Sequence, residues 1–164
     1  QQQLFLKTME TIRIESKDGA SAEIHPHGAT VVSWIPSGST DNRLFVSSSA
    51  KLDGSKAIRG GIPLVFPQFG QPDKSYPQHG FLRNNLWTLD EQTTSEEGAA
   101  SAQLSLELET VVNSRGDTGP WSAAETKYDC KAVLKVTVKG DTMTTSLTLT
   151  NLKGETLKFP FQTQ

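Results

Sequence analysis

Apolar and polar residues alternate along much of the chain with the two-residue period of a β-strand. The segment Thr11 to Glu15 reads Thr-Ile-Arg-Ile-Glu, and Ala20 to Ile24 follows after the turn residues Lys17-Asp18-Gly19. Successive side chains of a strand point to opposite faces, so alternation gives one apolar face and one polar face. The two segments therefore predict a β-hairpin.

Four further segments have the composition or the period of strands. Gly28 to Ile35 is rich in β-branched and aromatic residues, and apolar and polar residues alternate from Gln103 to Val111. Ala132 to Val138 and Thr142 to Thr150 flank the turn residues Lys139-Gly140-Asp141 and predict a second hairpin. Two shared faces follow from the two-residue period: Leu104, Leu106 and Leu108 on one strand, and Met143, Thr145, Leu147 and Leu149 on another.

Two segments between these strands have the composition of loops. Thr93 to Ser101 is rich in Ser, Gly, Glu and Ala, and Asn113 to Trp121 contains Arg115-Gly116-Asp117 and Gly119-Pro120. The Arg-Gly-Asp tripeptide is interpreted as an ordinary turn rather than an integrin-binding motif, because no secretion signal is recognisable. Since no helix-period stretch exceeds two turns, the predicted fold is all-β, and a β-sandwich is the most economical architecture.

The segment Leu52 to Trp87 differs from the rest, because five glycines and four prolines fall among its thirty-six residues. Gly and Pro at this density fix special backbone angles and allow close backbone approach, so strands here must be short. A rigid, largely apolar loop region with few polar groups is typical of a small-molecule pocket. Its aromatic residues are Phe66, Phe69, Tyr76, Phe81 and Trp87.

Arg59 and Arg83 are the candidate anion ligands of this segment. A guanidinium forms paired hydrogen bonds with two oxygens, and two such groups neutralise most of a phosphate monoester, whose charge is about −1.5 to −2 near pH 7. Gly60 and Gly61 follow Arg59 directly and can let backbone amides approach the same anion. Spacing alone leaves a second interpretation open, in which either arginine is a solvated or salt-bridged surface residue.

The three histidines allow several roles. His79, between Gln78 and Gly80, can be a general acid, a hydrogen-bonding group for a sugar hydroxyl or a structural histidine. His25 and His27 flank Pro26 in a turn between strands, and structural roles are favoured over a metal site because no third ligand is suggested nearby. The chain has no phosphate-binding P-loop, no dinucleotide-binding fingerprint and no Gly-x-Ser-x-Gly motif.

Composition narrows the expected partners and compartment. The formal net charge is −2, so no electrostatic signature of a nucleic-acid or anionic-membrane partner is present. Cys130 is the only cysteine, which excludes an intrachain disulfide and favours a reducing compartment. No stretch approaches the roughly 18 apolar residues of a membrane span, and residues 1–8 are interpreted as a vector remnant or a processed leader. The cytoplasm is the expected location.

Two blocks of the central segment resemble a known family. The block Lys51 to Gly70, with its Arg-Gly-Gly-Ile-Pro-Leu-Val-Phe-Pro core, and the block Pro77 to Arg83, followed by Trp87, are similar to the glucose-6-phosphate 1-epimerase family of the aldose 1-epimerase superfamily. Gly28 to Trp34 resembles an early strand of that family, and Asn151 to Gln162 resembles the strand that enters its catalytic half. Residues 9–164 are accordingly predicted to be the N-terminal portion of a mutarotase-like domain.

The resemblance implies a galactose-mutarotase-like β-supersandwich that interconverts the α and β anomers of hexose 6-phosphates without metal or cofactor. By position, Arg59, Gln78 and Arg83 resemble the substrate-binding residues, with the arginines taking the phosphate, and His79 resembles a pocket histidine. The principal catalytic histidine and glutamate of the family would lie beyond Gln164. The sandwich is therefore expected to be incomplete in this chain.

Two alternatives stay open. Because the expected acid and base lie beyond Gln164, the chain can be a non-catalytic sugar-phosphate-binding or structural member of the same fold. A galactose-type mutarotase acting on free sugars is disfavoured by the two arginines. The expected partner is a hexose 6-phosphate substrate. The expected state is a monomer, with the missing C-terminal portion of the same protein as the alternative partner.

Overall fold

The structure is a computed structural model that describes residues 9–72, 74, 77–108 and 130–152. Its strands form two antiparallel sheets, in which each strand pairs with its neighbour in sequence order. The all-β fold and both predicted hairpins are confirmed. The first sheet contains β1 (Ile12–Glu15), β2 (Ser21–His25) and β3 (Thr30–Ile35), and the second contains β4 (Thr88–Thr94), β5 (Ala100–Glu107), β6 (Cys130–Lys139) and β7 (Thr142–Asn151).

The core lies between the two sheets, where β1 contacts β5 and β2 contacts β6. Every second residue of β6 from Cys130 to Val138 is buried, and the residues between them are half-buried or exposed. The leucine face predicted on β5 is buried as well, although the strand ends at Glu107. Full burial of one Val or Leu side chain contributes about 1.5–3 kcal/mol, so this shared face is what holds the sheets together.

Strand β4 is absent from the prediction, and the loop expected over Thr93 to Ser101 is wrong at both ends. Since β4 ends at Thr94 and β5 begins at Ala100, only a short turn remains between them. All seven side chains of β4 are exposed, so its sequence has no apolar alternation. Its backbone pairing with β5, rather than the pattern of its own residues, makes it a strand.

Strands β6 and β7 pair over ten residues each around the two-residue turn Gly140-Asp141. Gly140 has φ 59°, the left-handed conformation that the first central position of such a hairpin turn favours. On the predicted shared face of β7, Met143, Leu147 and Leu149 pack against the core, whereas Thr145 is exposed. The alternation therefore located this face correctly, except that Thr145, between Met143 and Leu147, is exposed.

Several predictions concern residues outside the described ranges. These are the leader over residues 1–8, the Arg115-Gly116-Asp117 turn, residues 109–111 and most of the segment Asn151 to Gln162. The assignment of residues 9–164 to one domain accordingly stays a prediction. Within the described ranges, no helix is long and apolar enough to cross a membrane.

Asp18 ties together the turns at one end of the two sheets. Its Oδ2 accepts a hydrogen bond from the N–H of Gly140 at 2.9 Å, which joins the β1–β2 turn to the β6–β7 turn. Its Oδ1 accepts hydrogen bonds from the hydroxyl of Ser16 at 2.5 Å and from the N–H of Ala20 at 3.3 Å. The Ser16 hydrogen bond, together with the backbone amides, lowers the pKa of Asp18 below its ordinary value of 3.8.

Replacing Asp18 with Ala should lower the urea concentration at the midpoint of unfolding at pH 7, because the link between the two turns loses its acceptor. A carboxylate whose folded pKa is lowered stabilises the fold above its unfolded pKa and loses this effect as the pH falls through the folded value. The difference from wild type should therefore shrink below about pH 3.8. Asp41→Ala removes an exposed carboxylate and is the matched control; equal effects of the two substitutions would contradict this role.

Candidate functional site

The connection from Leu52 to Trp87 is anchored by backbone bridges rather than by strands. Its described residues contain one short regular element, the 3-10 turn η1 (Leu82–Asn84). The prediction that strands here are short is confirmed. Four isolated bridges fix the connection in place: Val46 with Gly60, Val31 with Ile62, Phe66 with Gly80, and His27 with Leu86.

The two glycines after Arg59 serve the chain's own backbone. A Cβ atom at Gly60 would lie 2.4 Å from the carbonyl oxygen of Phe45, and the N–H of Gly61 donates to the same oxygen at 2.8 Å. The hypothesis that both amides can approach a bound anion is therefore wrong for Gly61, whose N–H is already used. The glycines instead allow two backbone segments to cross closely, and this crossing fixes the position of Arg59.

Arg59 is exposed at this crossing. Its backbone carbonyl accepts the N–H of Ser47 at 2.9 Å. Its guanidinium forms no hydrogen bond or ion pair with any residue that the structure describes. Arg59 thus lies in the first part of the same connection, with its charge uncompensated by the described residues.

Gln78 and His79 occupy the two central positions of a four-residue turn. The N–H of Gly80 donates to the carbonyl of Pro77 at 2.9 Å and closes the turn. His79 has φ 65°, the left-handed region that the third position of a type II turn requires and that glycine usually fills. A residue with a Cβ atom is destabilised by about 1–2 kcal/mol in this conformation, so neighbouring contacts must hold His79 there.

Both the backbone and the ring of His79 are bonded to Gly70. The N–H of His79 donates to the carbonyl of Gly70 at 2.7 Å, and the N–H of Gly70 donates to Nδ1 of the imidazole at 3.0 Å. Because Nδ1 accepts, the proton of the neutral ring lies on Nε2. The ring of Phe69 contacts the imidazole edge-on, with 5.0 Å between the centroids. The half-buried ring is thereby fixed as a donor through Nε2.

Arg83 reaches from η1 to the same turn. Its Nη2 donates to the carbonyl of Gln78 at 2.9 Å, and its Nε is buried without a hydrogen-bond partner among the described residues. Burial lowers the pKa of this guanidinium, and no carboxylate in the described ranges forms an ion pair with it. A half-buried cation with unused donors and no counter-ion is a place where an anion is stabilised.

The backbone of Arg83 is positioned by the residues that lead into β3. A Cβ atom at Gly28 would lie 2.7 Å from the carbonyl oxygen of Arg83, so only glycine allows this approach. The N–H of Gly28 donates to the carbonyl of Asn85 at 2.7 Å, and the Asn85 amide donates to the carbonyl of Phe81 at 2.7 Å. The position of the Arg83 backbone is therefore set from the residues that lead into the first sheet's β3.

The positive charge of Arg83 acts on His79. Burial is the larger cause that lowers the pKa of His79, and the charge of Arg83 is the second. The imidazole is therefore neutral near pH 7. The turn combines one cation, one neutral N–H donor and the exposed amide of Gln78.

Gln68 is a buried polar residue that the sequence interpretation did not single out. Its side chain is 4% exposed, and its Nε2 donates to the carbonyl of Pro77 at 3.2 Å. The available signal is its place between Pro67 and Phe69, within a largely apolar run. A polar side chain buried in such a run has to find hydrogen-bond partners.

His25 has the structural role that the sequence favoured. Its Nε2 lies 3.1 Å from the carbonyl oxygen of Leu52, and its Nδ1 accepts the N–H of His27 at 3.1 Å. Burial lowers the pKa of His25, which keeps the ring neutral. Nε2 thus fastens the end of β2 to Leu52 in the central connection, and Nδ1 holds the turn that follows β2. No cluster of three potential metal ligands occurs among the described residues.

Comparison with known proteins identifies the family. The family model described as "Aldose 1-epimerase" matches residues 10–163. The chain therefore belongs to the aldose 1-epimerase family. The resemblance carried by the two central blocks is thereby confirmed.

Two curated relatives bear the name "Putative glucose-6-phosphate 1-epimerase". The protein from Cenchrus ciliaris is 40% identical over 82 residues, which are 50% of this chain and 24% of that relative. The protein from Escherichia coli (strain K12) is 38% identical over 74 residues, which are 44% of this chain and 25% of that relative. The matched region thus spans about a quarter of each relative.

Two solved structures share the fold. A protein from Salmonella typhimurium described as a "putative mutarotase (YeaD)" matches with a TM-score of 0.66 at 23% identity, over 85% of this chain and 43% of that one. The Slr1438 protein from Synechocystis sp. PCC 6803 matches with a TM-score of 0.66 at 22% identity, over 87% of this chain and 49% of that one. The mutarotase-like architecture is confirmed, and the chain spans just under half of each structure.

Substitution of Gly80 by Ala should destabilise the protein by more than the cost of placing a side chain at a positive φ. Gly80 has φ 73°, and a Cβ atom there would lie 1.7 Å from the carbonyl oxygen of Phe66. Both the conformation and the contact oppose a side chain, so we expect a loss of more than about 2 kcal/mol in the free energy of unfolding.

Gly38→Ala is the matched control for this measurement. Gly38 has φ 70°, but no atom lies within 4 Å of the position that a Cβ atom would take, so this glycine carries the conformational cost alone. Urea unfolding of the two variants should show the larger loss for Gly80→Ala. Equal losses would mean that the contact with Phe66 is not constraining.

Proposed function

We propose that this protein interconverts the α and β anomers of hexose 6-phosphates, with glucose 6-phosphate as the expected substrate. The observation that carries the proposal is the half-buried guanidinium of Arg83, which has unused donors and no acidic partner among the described residues. Membership of the aldose 1-epimerase family supports sugar chemistry, and the names of the curated relatives support a phosphorylated sugar.

Phosphate is the substrate group assigned to the arginines. A phosphate monoester carries about −1.5 to −2 charge near pH 7, so one guanidinium leaves part of its charge uncompensated. Arg59, exposed and without an ion-pair partner among the described residues, is the proposed second cation. An uncharged sugar gains much less from such groups, which disfavours a mutarotase for free galactose.

Gln78 and His79 are assigned to the sugar ring. The amide of Gln78 is exposed at the tip of the turn, and the imidazole of His79 offers an N–H donor through Nε2. Because burial and Arg83 lower its pKa, His79 is a poor source of a full proton near neutral pH. Of its three possible roles, hydrogen bonding to a hydroxyl is the one that we propose.

The proton transfers are assigned to an acid and a base beyond Gln164, as the family resemblance implies. A carboxylate takes the proton of the C1 hydroxyl, the C1–O5 bond breaks as the C1 carbonyl forms, and a protonated histidine gives its proton to the ring oxygen. Rotation about C1–C2 and closure on the other face give the other anomer. Positioned acids and bases of this kind commonly accelerate a reaction by about 10²–10⁴-fold each.

The alternative proposal is a non-catalytic protein that binds sugar phosphates. It is favoured by the lowered pKa of His79, which suits the imidazole to donating a hydrogen bond rather than to delivering a proton near neutral pH. We further propose a cytoplasmic location and a monomeric state. Cys130 is the single cysteine of the chain and is buried, which supports a reducing compartment.

Replacing Arg83 with Met should raise the KM for glucose 6-phosphate about 10- to 100-fold, because a charged hydrogen bond contributes about 1.5–3 kcal/mol. The measurement is NMR exchange between the anomers of glucose 6-phosphate, with free glucose as the reference substrate and the protein at its complete natural length. Arg43→Met, at an exposed arginine, is the matched control and should leave KM unchanged.

The outcomes of this experiment separate the two proposals. Selective exchange of the phosphorylated sugar, lost in Arg83→Met, supports the mutarotase. Binding of glucose 6-phosphate without exchange favours the non-catalytic alternative. A preference for the phosphorylated sugar that survives loss of both Arg59 and Arg83 would exclude the phosphate assignment.

Phosphate binding should raise the pKa of His79. The positive charge of Arg83 disfavours the protonated imidazole, and a bound dianion would offset that charge. The measurement is the pH titration of the His79 ring signals by NMR, with and without inorganic phosphate. Glucose at the same concentration is the control and should not move the pKa. Saturable phosphate binding without a rise would place the anion away from Arg83.

A further inference from the structure

We propose that Gln68 is a positioning residue that holds the Pro77–Gly80 turn in the conformation that presents Gln78 and His79. The inference deepens the proposed function and rests on it. Gln68 is buried, and its side-chain amide donates to the carbonyl of Pro77, the first corner of the turn. It reaches this corner from the neighbouring backbone segment and so lies outside the turn that it holds.

The turn has two competing forms. Type I and type II turns share the hydrogen bond from the fourth residue to the first, and they differ by a flip of the central peptide. Here that peptide joins Gln78 to His79, and the observed form places His79 at φ 65°. The flipped form would bring this angle to about −90°, where a residue with a side chain is unstrained. The bond between Gly80 and Pro77 cannot decide between the two forms, because both contain it.

Contacts outside the turn decide the orientation of the central peptide. Its carbonyl, from Gln78, accepts Nη2 of Arg83 at 2.9 Å, and its N–H, from His79, donates to Gly70 at 2.7 Å. A flip would break both hydrogen bonds and would reverse the direction of the carbonyl. The observed form therefore depends on keeping the turn within reach of Gly70.

Gln68 maintains this proximity at the first corner of the turn, beside the backbone bridge between Phe66 and Gly80. It lies two residues before Gly70 on the same segment, so its bond to Pro77 and the bond of Gly70 to His79 fasten the turn to one stretch of backbone. Without the Gln68 donor, the first corner can move away from the segment. His79 would then lose its acceptor at Gly70, and the unstrained flipped form would be favoured.

Two properties of the site should change together in the flipped form. Nδ1 of His79 would lose the N–H of Gly70, so the proton of the neutral ring would no longer be restricted to Nε2. Arg83 would lose the carbonyl of Gln78 that orients its guanidinium. The tautomer of His79 and the affinity of the site for phosphate therefore report on Gln68, although the described hydrogen bond of Gln68 is to Pro77 and not to His79 or Arg83.

The test uses Gln68→Glu and Gln68→Met in the protein at its complete natural length. Glu keeps the shape but replaces the donor by an acceptor, and Met keeps the length without adding a charge. Gln92→Glu is the matched control, because Gln92 also donates its Nε2 to a backbone carbonyl, that of Arg13, at 2.7 Å on β4. Circular dichroism and urea unfolding establish which variants are folded.

The first readout is the tautomer of His79, measured without ligand by long-range ¹H–¹⁵N NMR. Wild type and Gln92→Glu should show the Nε2–H form, and folded Gln68 variants should show a mixture or the Nδ1–H form. The second readout is the Kd for inorganic phosphate, which should rise at least about fivefold in the Gln68 variants, a change of about 1 kcal/mol.

A second substitution at His79 keeps the test decisive. His79→Gly removes the strain of the left-handed position, since glycine adopts positive φ readily. In that background, Gln68→Met should change the phosphate Kd by less than about twofold. An equal loss in both backgrounds, or folded Gln68 variants with an unchanged tautomer and Kd, would overturn the proposal and leave Gln68 as a packing residue.

Failure of this proposal can be told apart from failure of the proposed function. If wild type shows the Nε2–H tautomer, and Gln68 variants lose it, the positioning role holds even when no anomer exchange is found. If wild type exchanges the anomers of glucose 6-phosphate and the Gln68 variants match it in both readouts, the function holds and the positioning role is excluded.

Discussion

The close contact between the backbones of Phe66 and Gly80 is the constraint on which the candidate site depends. The N–H of Phe81 donates to the carbonyl of Phe66 at 2.8 Å, and a Cβ atom at Gly80 would lie 1.7 Å from that oxygen. The stretches that contain Phe66 and Gly80 thereby run side by side, and the two hydrogen bonds between Gly70 and His79 need this alignment. Because backbone atoms make the contact, it leaves little freedom of position, which suits a site that must hold a ligand in one geometry.

The sheets make this irregular connection rigid. The N–H of Trp87 donates to the carbonyl of Pro26 at 2.9 Å, and its indole donates to Leu82 at 3.0 Å, so the end of the connection is fixed where it returns to β4. Ordering one residue costs about 1–2 kcal/mol of backbone entropy, and a connection rich in glycine has more to lose than most. Burial of the side chains of Phe66, Leu82 and Trp87 offsets this cost and places the charged residues at its surface.

The sequence predicts those parts of the molecule whose cause is local. Alternation located the two hairpins. In β6, for example, every second residue is apolar and buried, so the strand's own sequence shows its buried face. The alternation did not predict strand β4, because all its side chains are exposed and it is a strand only through its backbone pairing with β5. The resemblance singled out Gln78 and Arg83, and the structure joins them by a hydrogen bond. The left-handed conformation of His79 and the buried amide of Gln68 follow from contacts between segments nine residues apart, which the alternation of apolar and polar residues does not encode.

The positive charge of Arg83 limits what His79 can do in the same turn. Arg83 lies close enough to His79 to lower its pKa, so a cation for an anionic substrate and a protonated imidazole oppose one another in this turn. The bond from Gly70 adds a second constraint, since it occupies Nδ1 and leaves only an N–H donor on the other nitrogen. A site built in this way is suited to bind and orient, and poorly suited to deliver a proton. If the proposed reaction takes place, its acid must therefore be held away from Arg83, in a part of the protein where a positive imidazole is not penalised.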